Sequence, residues 1–313
     1  MPKALVIGSR GQDGAYLCEL LESKGYDIIP FSRGGVEGPC SERYPCISLK
    51  HQEIGPLLHA ERVNEIYYLA AFHHSSEKSN RAEPDVLQKS FEINTLGLAE
   101  VLYAIDSHNR EARLFYAASS HIFGEPECVV QDEATPFNPV NAYGISKAAG
   151  VHVCRHFRKN RGLHACVGIL YNHESPRRSA YFLSKKVVQA AVKIKRREQN
   201  HLALGCLDTL VDWGFAPDYV RAMWSILQLE SPADFVIATG VLHSVRDFVA
   251  TAFKMLGLEW SRYVTERADM VTKQQGTLCG NASALRRATR WEPEVGFEEL
   301  VRVMIEAELK IVS

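Results

Sequence analysis

No stretch of this 313-residue chain is apolar over the roughly 18 positions a membrane helix needs. The first apolar run, Ala4-Leu5-Val6-Ile7, is too short for a signal peptide and leads straight into a glycine turn. Charge of one sign is missing too: 36 basic residues stand against 37 acidic ones, for a formal net charge of −1, which argues against a nucleic-acid partner. The eight cysteines, at 18, 40, 46, 128, 154, 166, 206 and 279, form no C-x-x-C pair and no even disulfide spacing. They read as reduced thiols of a cytoplasmic protein. Metal signatures are also lacking: His173-Glu174 does not extend to H-E-x-x-H, and His73, His74 and His121 have no i+4 pair or carboxylate partner, so no metal site is expected. Internal repeats, low-complexity tracts and linkers are absent.

What is there alternates. Short apolar runs at Ala4–Gly8, Asp27–Phe31, Glu65–Ala70, Arg113–Ala118 and His164–Leu170 read as strands. Helical spacing fills the gaps at Gly14–Lys24, about Gln88 to Ser107, and Tyr143–Arg161. This alternation predicts an α/β fold, a Rossmann-type doubly wound parallel sheet. After Tyr171 the pattern loosens. Helices are expected over Tyr181–Arg197, Asp218–Gln228, Ser244–Leu256 and Phe297–Leu309, with strands at His201–Leu204 and Asp234–Thr239. A smaller C-terminal substrate-binding lobe follows, drawn from 171–204 and 241–313. Residues 1–170 form the cofactor domain, to which the chain returns around 205–240. The basic cluster Lys185-Lys186, Lys193, Lys195, Arg196 and Arg197 reads first as the solvated face of a helix, with phosphate contact as the alternative.

Directly after the first strand come Gly8, Gly11 and Gly14, spaced G-x-x-G-x-x-G. The first permits a tight turn, the second a close backbone approach to a pyrophosphate, and the third close packing of helix on strand. The helix start then offers its N–H groups to the anion, so Gly8, Arg10, Gly11, Gln12, Asp13 and Gly14 are assigned to a dinucleotide. At the end of the second strand an acidic residue would select NAD. The chain has Phe31-Ser32-Arg33-Gly34 instead, and Arg33, aided by Arg10, suits a 2′-phosphate. NADP is preferred over NAD. Leu69, Ala70 and Ala71, at the end of the next strand, complete the cofactor set.

Tyr143 and Lys147 stand at i and i+4 on one helix face. A phenol titrates near 10, and a neighbouring ammonium favours its phenolate, while the lysine can also hold the nicotinamide ribose. A serine-bearing strand end, Ala117-Ala118-Ser119-Ser120-His121, precedes the pair and supplies a hydroxyl for the substrate oxygen.

At these residues the chain resembles the extended short-chain dehydrogenase/reductase family of nucleotide-sugar enzymes and, within it, the GDP-mannose 4,6-dehydratases. The resemblance runs through GQDGAYL at 11–17, EIYYLAA at 65–71 and NAYGISK at 141–147. It continues through ILYNHESPRR at 169–178, VDWGFAPDYVRAMW at 211–224, and DFVIATG with HSVRDFV at 234–249. The stretches at 169–178 and 211–224 are the most specific. The resemblance implies transient oxidation of the sugar at C4 by bound NADP, with water then lost across C5–C6. It makes Tyr143 the base, Lys147 its activator and Ser119 the hydroxyl helper, and assigns Asn172 and Lys186 to a GDP-linked sugar. The helices near 88–107 and 143–161 would form a homodimer or homotetramer contact.

Four departures accompany it. His121 stands where the family has its catalytic glutamate, and Val211 replaces an arginine. Val271-Thr272-Lys273-Gln274-Gln275 replaces R-P-x-E-V, and Ser48-Leu49 replaces an adenine-contacting D-L pair. Two alternatives therefore stay open: a GDP-sugar C4 oxidoreductase or epimerase without elimination, and a non-catalytic NADP-binding regulatory protein.

Overall fold

The computed structural model describes residues 1–42, 48–72, 83–267 and 276–311. Its centre is a seven-stranded sheet in the order Asp234–Ile237, Ala165–Leu170, Arg113–Ser119, Glu65–Tyr68, Lys3–Ile7, Asp27–Ser32 and Gly35–Val36. Every neighbouring pair is parallel except the last, a two-residue antiparallel edge. The alternation of the first strand explains the layering. Leu5 and Ile7 join a core with Tyr68, Leu102 and Val151 on one face. Ala4 and Val6 join a second core with Leu17, Phe115 and Met223 on the other. A strand buried on both faces is apolar throughout, which is the run seen in the sequence.

From the first strand the chain steps one way to Asp27–Ser32 and the other way to Glu65–Tyr68. That reversal leaves a crevice at the carboxyl ends of the two central strands, where open α/β sheets take their ligands. Gly8 lies in it.

Helix ends follow local chemistry. The long helix Ala142–Arg161 starts at Asn141, whose side chain accepts from the Gly144 N–H at 2.9 Å, and stops at Gly162 with φ 68°. The expected helix around 88–107 is longer and interrupted: Glu83–Phe91, a π turn at Glu92–Leu96, then Gly97–His108. The strand expected over Glu65–Ala70 ends at Tyr68, because the chain must leave the sheet to pass Gly8. Sequence periodicity did not announce the helix His51–Ala60, which contains Pro56, or the strand Leu210–Phe215.

A third core, apart from the sheet, unites the helices Leu183–Lys195, Val245–Met255 and Phe297–Ile311 around Trp213, Phe248 and Met304. A three-stranded ribbon joins it to the sheet: Asn172–Glu174 pairs with Leu210–Phe215, which pairs with Leu242–Ser244. Asp212 anchors this ribbon. Its buried carboxylate accepts from the Thr239 N–H and hydroxyl and from the Gly240 and Gly280 N–H groups at 2.5–3.2 Å. No helix among the described residues is long and apolar enough to cross a membrane.

Candidate active site

The glycine turn is built as its spacing predicts. Gly8 has φ 98°, and a Cβ on it would meet the Ala70 nitrogen at 2.8 Å. A Cβ on Gly14 would lie 2.2 Å from the Gly8 carbonyl oxygen, inside contact distance of backbone that cannot move. The Gly8 and Ser9 N–H groups are already given to the Phe31 carbonyl, at 2.8 and 3.2 Å. The Gly11 N–H is given to the Gly8 carbonyl at 2.9 Å, and the donors that face out for an anion include those of the first helical turn, Gln12, Asp13 and Gly14, which have no intrahelical acceptor. These residues fit a dinucleotide pyrophosphate. Leu69 and Ala70 line the opposite wall of the crevice, with Ala71 next in the chain. Arg33 is exposed in the turn after Asp27–Ser32. Arg10, the second cation expected there, pairs through Nε with Glu37 Oε1 at 2.9 Å.

One crevice wall further on, at the carboxyl end of Arg113–Ser119, the expected catalytic residues come together. Ser119 is buried and its side chain hydrogen-bonds Tyr143. Burial pushes the Tyr143 phenol up to about 12, against the opposing pull of the Ser119 hydrogen bond and the Arg178 charge. Lys147 is fully buried, and its Nζ donates to the Ala117 carbonyl at 2.7 Å and lies 5.8 Å from the Tyr143 ring centre. Burial drops its pKa to about 7, opposed by the negative charge of Asp13. His121 occupies the short 3-10 turn Ser120–Ile122, its ring edge-on to Tyr143 with centroids 5.5 Å apart.

Sequence periodicity missed two contributors. Asn94, wholly buried in the π turn, accepts from the Phe72 N–H at 3.0 Å and donates to Ser146 Oγ at 2.9 Å. It thus ties the crevice wall to the helix residue beside Lys147. The second contributor is the segment His173–Arg178. His173 pairs with Asp13 across the glycine turn, and the guanidinium of Arg178 lies 3.1 Å from the Glu174 carboxylate. Glu174 in turn accepts from Ser184 Oγ at 2.5 Å. The signal was present as the specific stretch at 169–178, but its individual roles need three-dimensional neighbours.

Asn172 is exposed on the ribbon strand beside Trp213 in register. Lys186 is half-buried on the helix Leu183–Lys195. Its neighbour Lys185 does not face solvent: its ammonium forms a buried pair with Glu308 at 2.7 Å and donates to the Pro176 carbonyl at 3.0 Å. Arg196 reaches the Leu309 carbonyl at 2.8 Å. The basic cluster therefore partly fastens the C-terminal helix and is not a uniformly solvated face. His73, His74 and Val271–Gln275 lie outside the described residues. Among the described residues no group of three or more His, Cys, Asp or Glu side chains is placed to hold a metal, and the seven of the eight cysteines that are described are free thiols.

A family model described as GDP-mannose 4,6 dehydratase matches residues 48–304. GDP-mannose 4,6 dehydratase 1 of Arabidopsis thaliana is 35% identical over 331 aligned residues, covering 98% of this chain and 90% of the plant protein. The Homo sapiens GDP-mannose 4,6 dehydratase is 31% identical, covering 98% and 91%. Among solved structures, RMD from Pseudomonas aeruginosa complexed with NADPH aligns with a TM-score of 0.83 at 19% identity, over 99% of this chain and 100% of that one. The dTDP-glucose 4,6-dehydratase of Bacillus anthracis in complex with NAD aligns at 0.82 and 17%, over 99% and 97%. At these identities the structural likeness speaks for the fold.

Proposed function

The chain belongs to the GDP-mannose 4,6-dehydratase family, and from that premise we propose that it is a dehydratase of a GDP-linked sugar working with bound NADP. The observation that carries this reading is the meeting of Ser119, Tyr143 and Lys147 beside the glycine turn. When bound, the dinucleotide supplies a hydride acceptor and donor at the sugar. Tyr143 takes the proton of the sugar hydroxyl being oxidised, with Ser119 hydrogen-bonding it. Lys147, held by the Ala117 carbonyl, steadies the phenolate and the ribose. His121, against the Tyr143 ring, handles the C5 proton and the departing C6 hydroxyl, a task an imidazole performs near neutrality.

Arg33 at the end of the second strand, without an acid beside it, supports NADP over NAD; the two solved relatives hold NADPH and NAD respectively. Asn172 and Lys186 take the sugar diphosphate. The separate core supports a cofactor domain and a substrate lobe with bounds other than those expected: Leu207 and Trp213 pack in the lobe, while Tyr219, Ile237, Leu285 and Trp291 pack on the sheet. Leu96, Tyr103 and Ile145, 58%, 49% and 40% exposed on the helices flanking the catalytic pair, support a homodimer or a homotetramer built from it. The cysteine spacing supports a cytoplasmic location.

The imidazole at 121 also favours a second reading, a C4 oxidoreductase or epimerase of a GDP-sugar that stops before elimination. Incubation with NADP and GDP-mannose, followed by mass spectrometry of the sugar nucleotide, tests both. Loss of one water is expected. Accumulated NADPH with an unshortened sugar, or an isomer of unchanged mass, would replace the dehydratase by the second reading.

A further inference from the structure

Asp13 stands in the first turn of the helix Gln12–Ser23, among the N–H groups that an anionic ligand needs. An unpaired carboxylate at that place would compete for the donors and repel a pyrophosphate. In this chain it is paired. His173 Nε2 lies 3.0 Å from both Asp13 oxygens, and His173 Nδ1 lies 2.7 Å from the Tyr171 carbonyl. Both ring nitrogens thus face acceptors, which a carboxylate and a carbonyl together satisfy only when the ring is a doubly donating imidazolium. The ring is stacked on Tyr219, with centroids 4.6 Å and planes 24° apart, which fixes its orientation. Gln12 doubles the connection: its amide donates to the His173 carbonyl at 3.1 Å and its carbonyl accepts from Ser175 Oγ at 2.8 Å. Two segments 160 residues apart are joined, and His173 is buried.

We propose that His173 is a positioning residue for the cofactor: by pairing with Asp13 it offsets the negative charge that Asp13 brings to the first turn of the helix and fixes Gln12 and Asp13 in place. The inference rests on the reading of the glycine turn as a dinucleotide site. It has a consequence opposite to that of a simple contact residue. Removing His173 alone leaves the half-buried Asp13 carboxylate without its hydrogen-bonded cation, with the Gln12 amide at 3.2 Å and the charge of Arg178 still acting on it, whereas removing both groups takes the carboxylate out of the cradle.

The test is a double-mutant cycle on the full chain, with NADPH binding measured by calorimetry and folding by circular dichroism. His173→Asn is expected to weaken NADPH binding by about tenfold or more, and adding Asp13→Asn should recover most of that loss. His173→Gln serves in the same cycle if the asparagine variant does not fold. Unchanged NADPH affinity in the folded single variant would overturn the proposal. So would a double variant that binds no better than His173→Asn, because the two residues would then act independently. A wild-type chain that binds neither NADPH nor NADH would sink the cofactor reading itself, and this proposal with it.

Discussion

The imidazole of His121 meets the ring of Tyr143 edge-on, with centroids 5.5 Å apart and planes at 85°. Asn141, the cap of the helix Ala142–Arg161, places its side-chain nitrogen 3.5 Å from His121 Nδ1, so the histidine is held from two sides. A group beside the tyrosine ring is in reach of a substrate that the tyrosine holds. His121→Ala is therefore expected to suppress release of water while leaving oxidation at C4, read as NADPH absorbance in a single turnover, within a few-fold of wild type. His121→Glu should sustain the water loss. Equal suppression of both steps by His121→Ala would place the histidine in the first step and remove it from the second.

Tyr143→Phe removes the proton acceptor and keeps the ring. General-base contributions run to about 10²–10⁴ in rate. A fall of about a thousandfold in kcat is expected, with NADPH affinity unchanged within about threefold, since the phenylalanine still packs beside His121. Steady-state kinetics together with equilibrium cofactor titration separate the two quantities. A variant retaining more than a tenth of wild-type turnover would assign the proton transfer elsewhere.

Much of this site could be read in one dimension, for reasons that differ from residue to residue. The turn at 8–14 was legible because its glycines answer local constraints: φ 98° at Gly8, and no room for a Cβ at Gly14. Tyr143 and Lys147 were legible because helix geometry alone fixes their spacing. The Asp13–His173 pair was not, since nothing local links residues 160 positions apart. The pairing of Arg10 with Glu37 and of Lys185 with Glu308 escaped for the same reason: charge partners across elements leave no periodicity. The strand Leu210–Phe215 escaped differently. Asp212 places a charged residue in the middle of the run, and its buried carboxylate is satisfied by four hydrogen bonds from Thr239, Gly240 and Gly280, distant in the sequence.

Gly14→Ala tests the cradle by steric means. The added methyl would sit 2.2 Å from the Gly8 carbonyl oxygen and 2.7 Å from Ser9 Cα, all backbone. Overpacking of this kind costs about 1–3 kcal/mol and displaces the helix start from the turn. The expectation is a lowered melting temperature and loss of measurable NADPH binding. Normal binding by the alanine variant would show that the helix start is not where the dinucleotide sits.

Arg33 bears on cofactor choice. A guanidinium on a phosphate contributes about 1.5–3 kcal/mol as a charge-assisted hydrogen bond, and the 2′-phosphate is the one group separating NADP from NAD. Arg33→Ala should therefore weaken NADPH by about ten- to a hundredfold and leave NADH almost unchanged. The ratio of the two dissociation constants measures it. A parallel loss for both cofactors would mean that Arg33 supports the turn and does not read the phosphate.

Lys147 makes a prediction about stability that can be separated from catalysis. Burial holds its folded-state pKa near 7, below the ordinary 10.5 that it regains on unfolding. Between those values the unfolded chain binds a proton that the folded chain does not, so wild-type stability falls as the pH is lowered from about 10.5 toward 7. Lys147→Met removes this linkage and also the hydrogen bond to Ala117, a loss that does not depend on pH. Relative to wild type, the methionine variant should thus gain on the order of 2 kcal/mol between pH 9 and pH 7, whatever its absolute stability. Denaturant unfolding at the two pH values measures the difference. If wild type and variant keep the same separation at both, the ammonium is solvated or paired in the folded chain, and Lys147 reaches Tyr143 as a permanent cation and not as a group poised near neutrality.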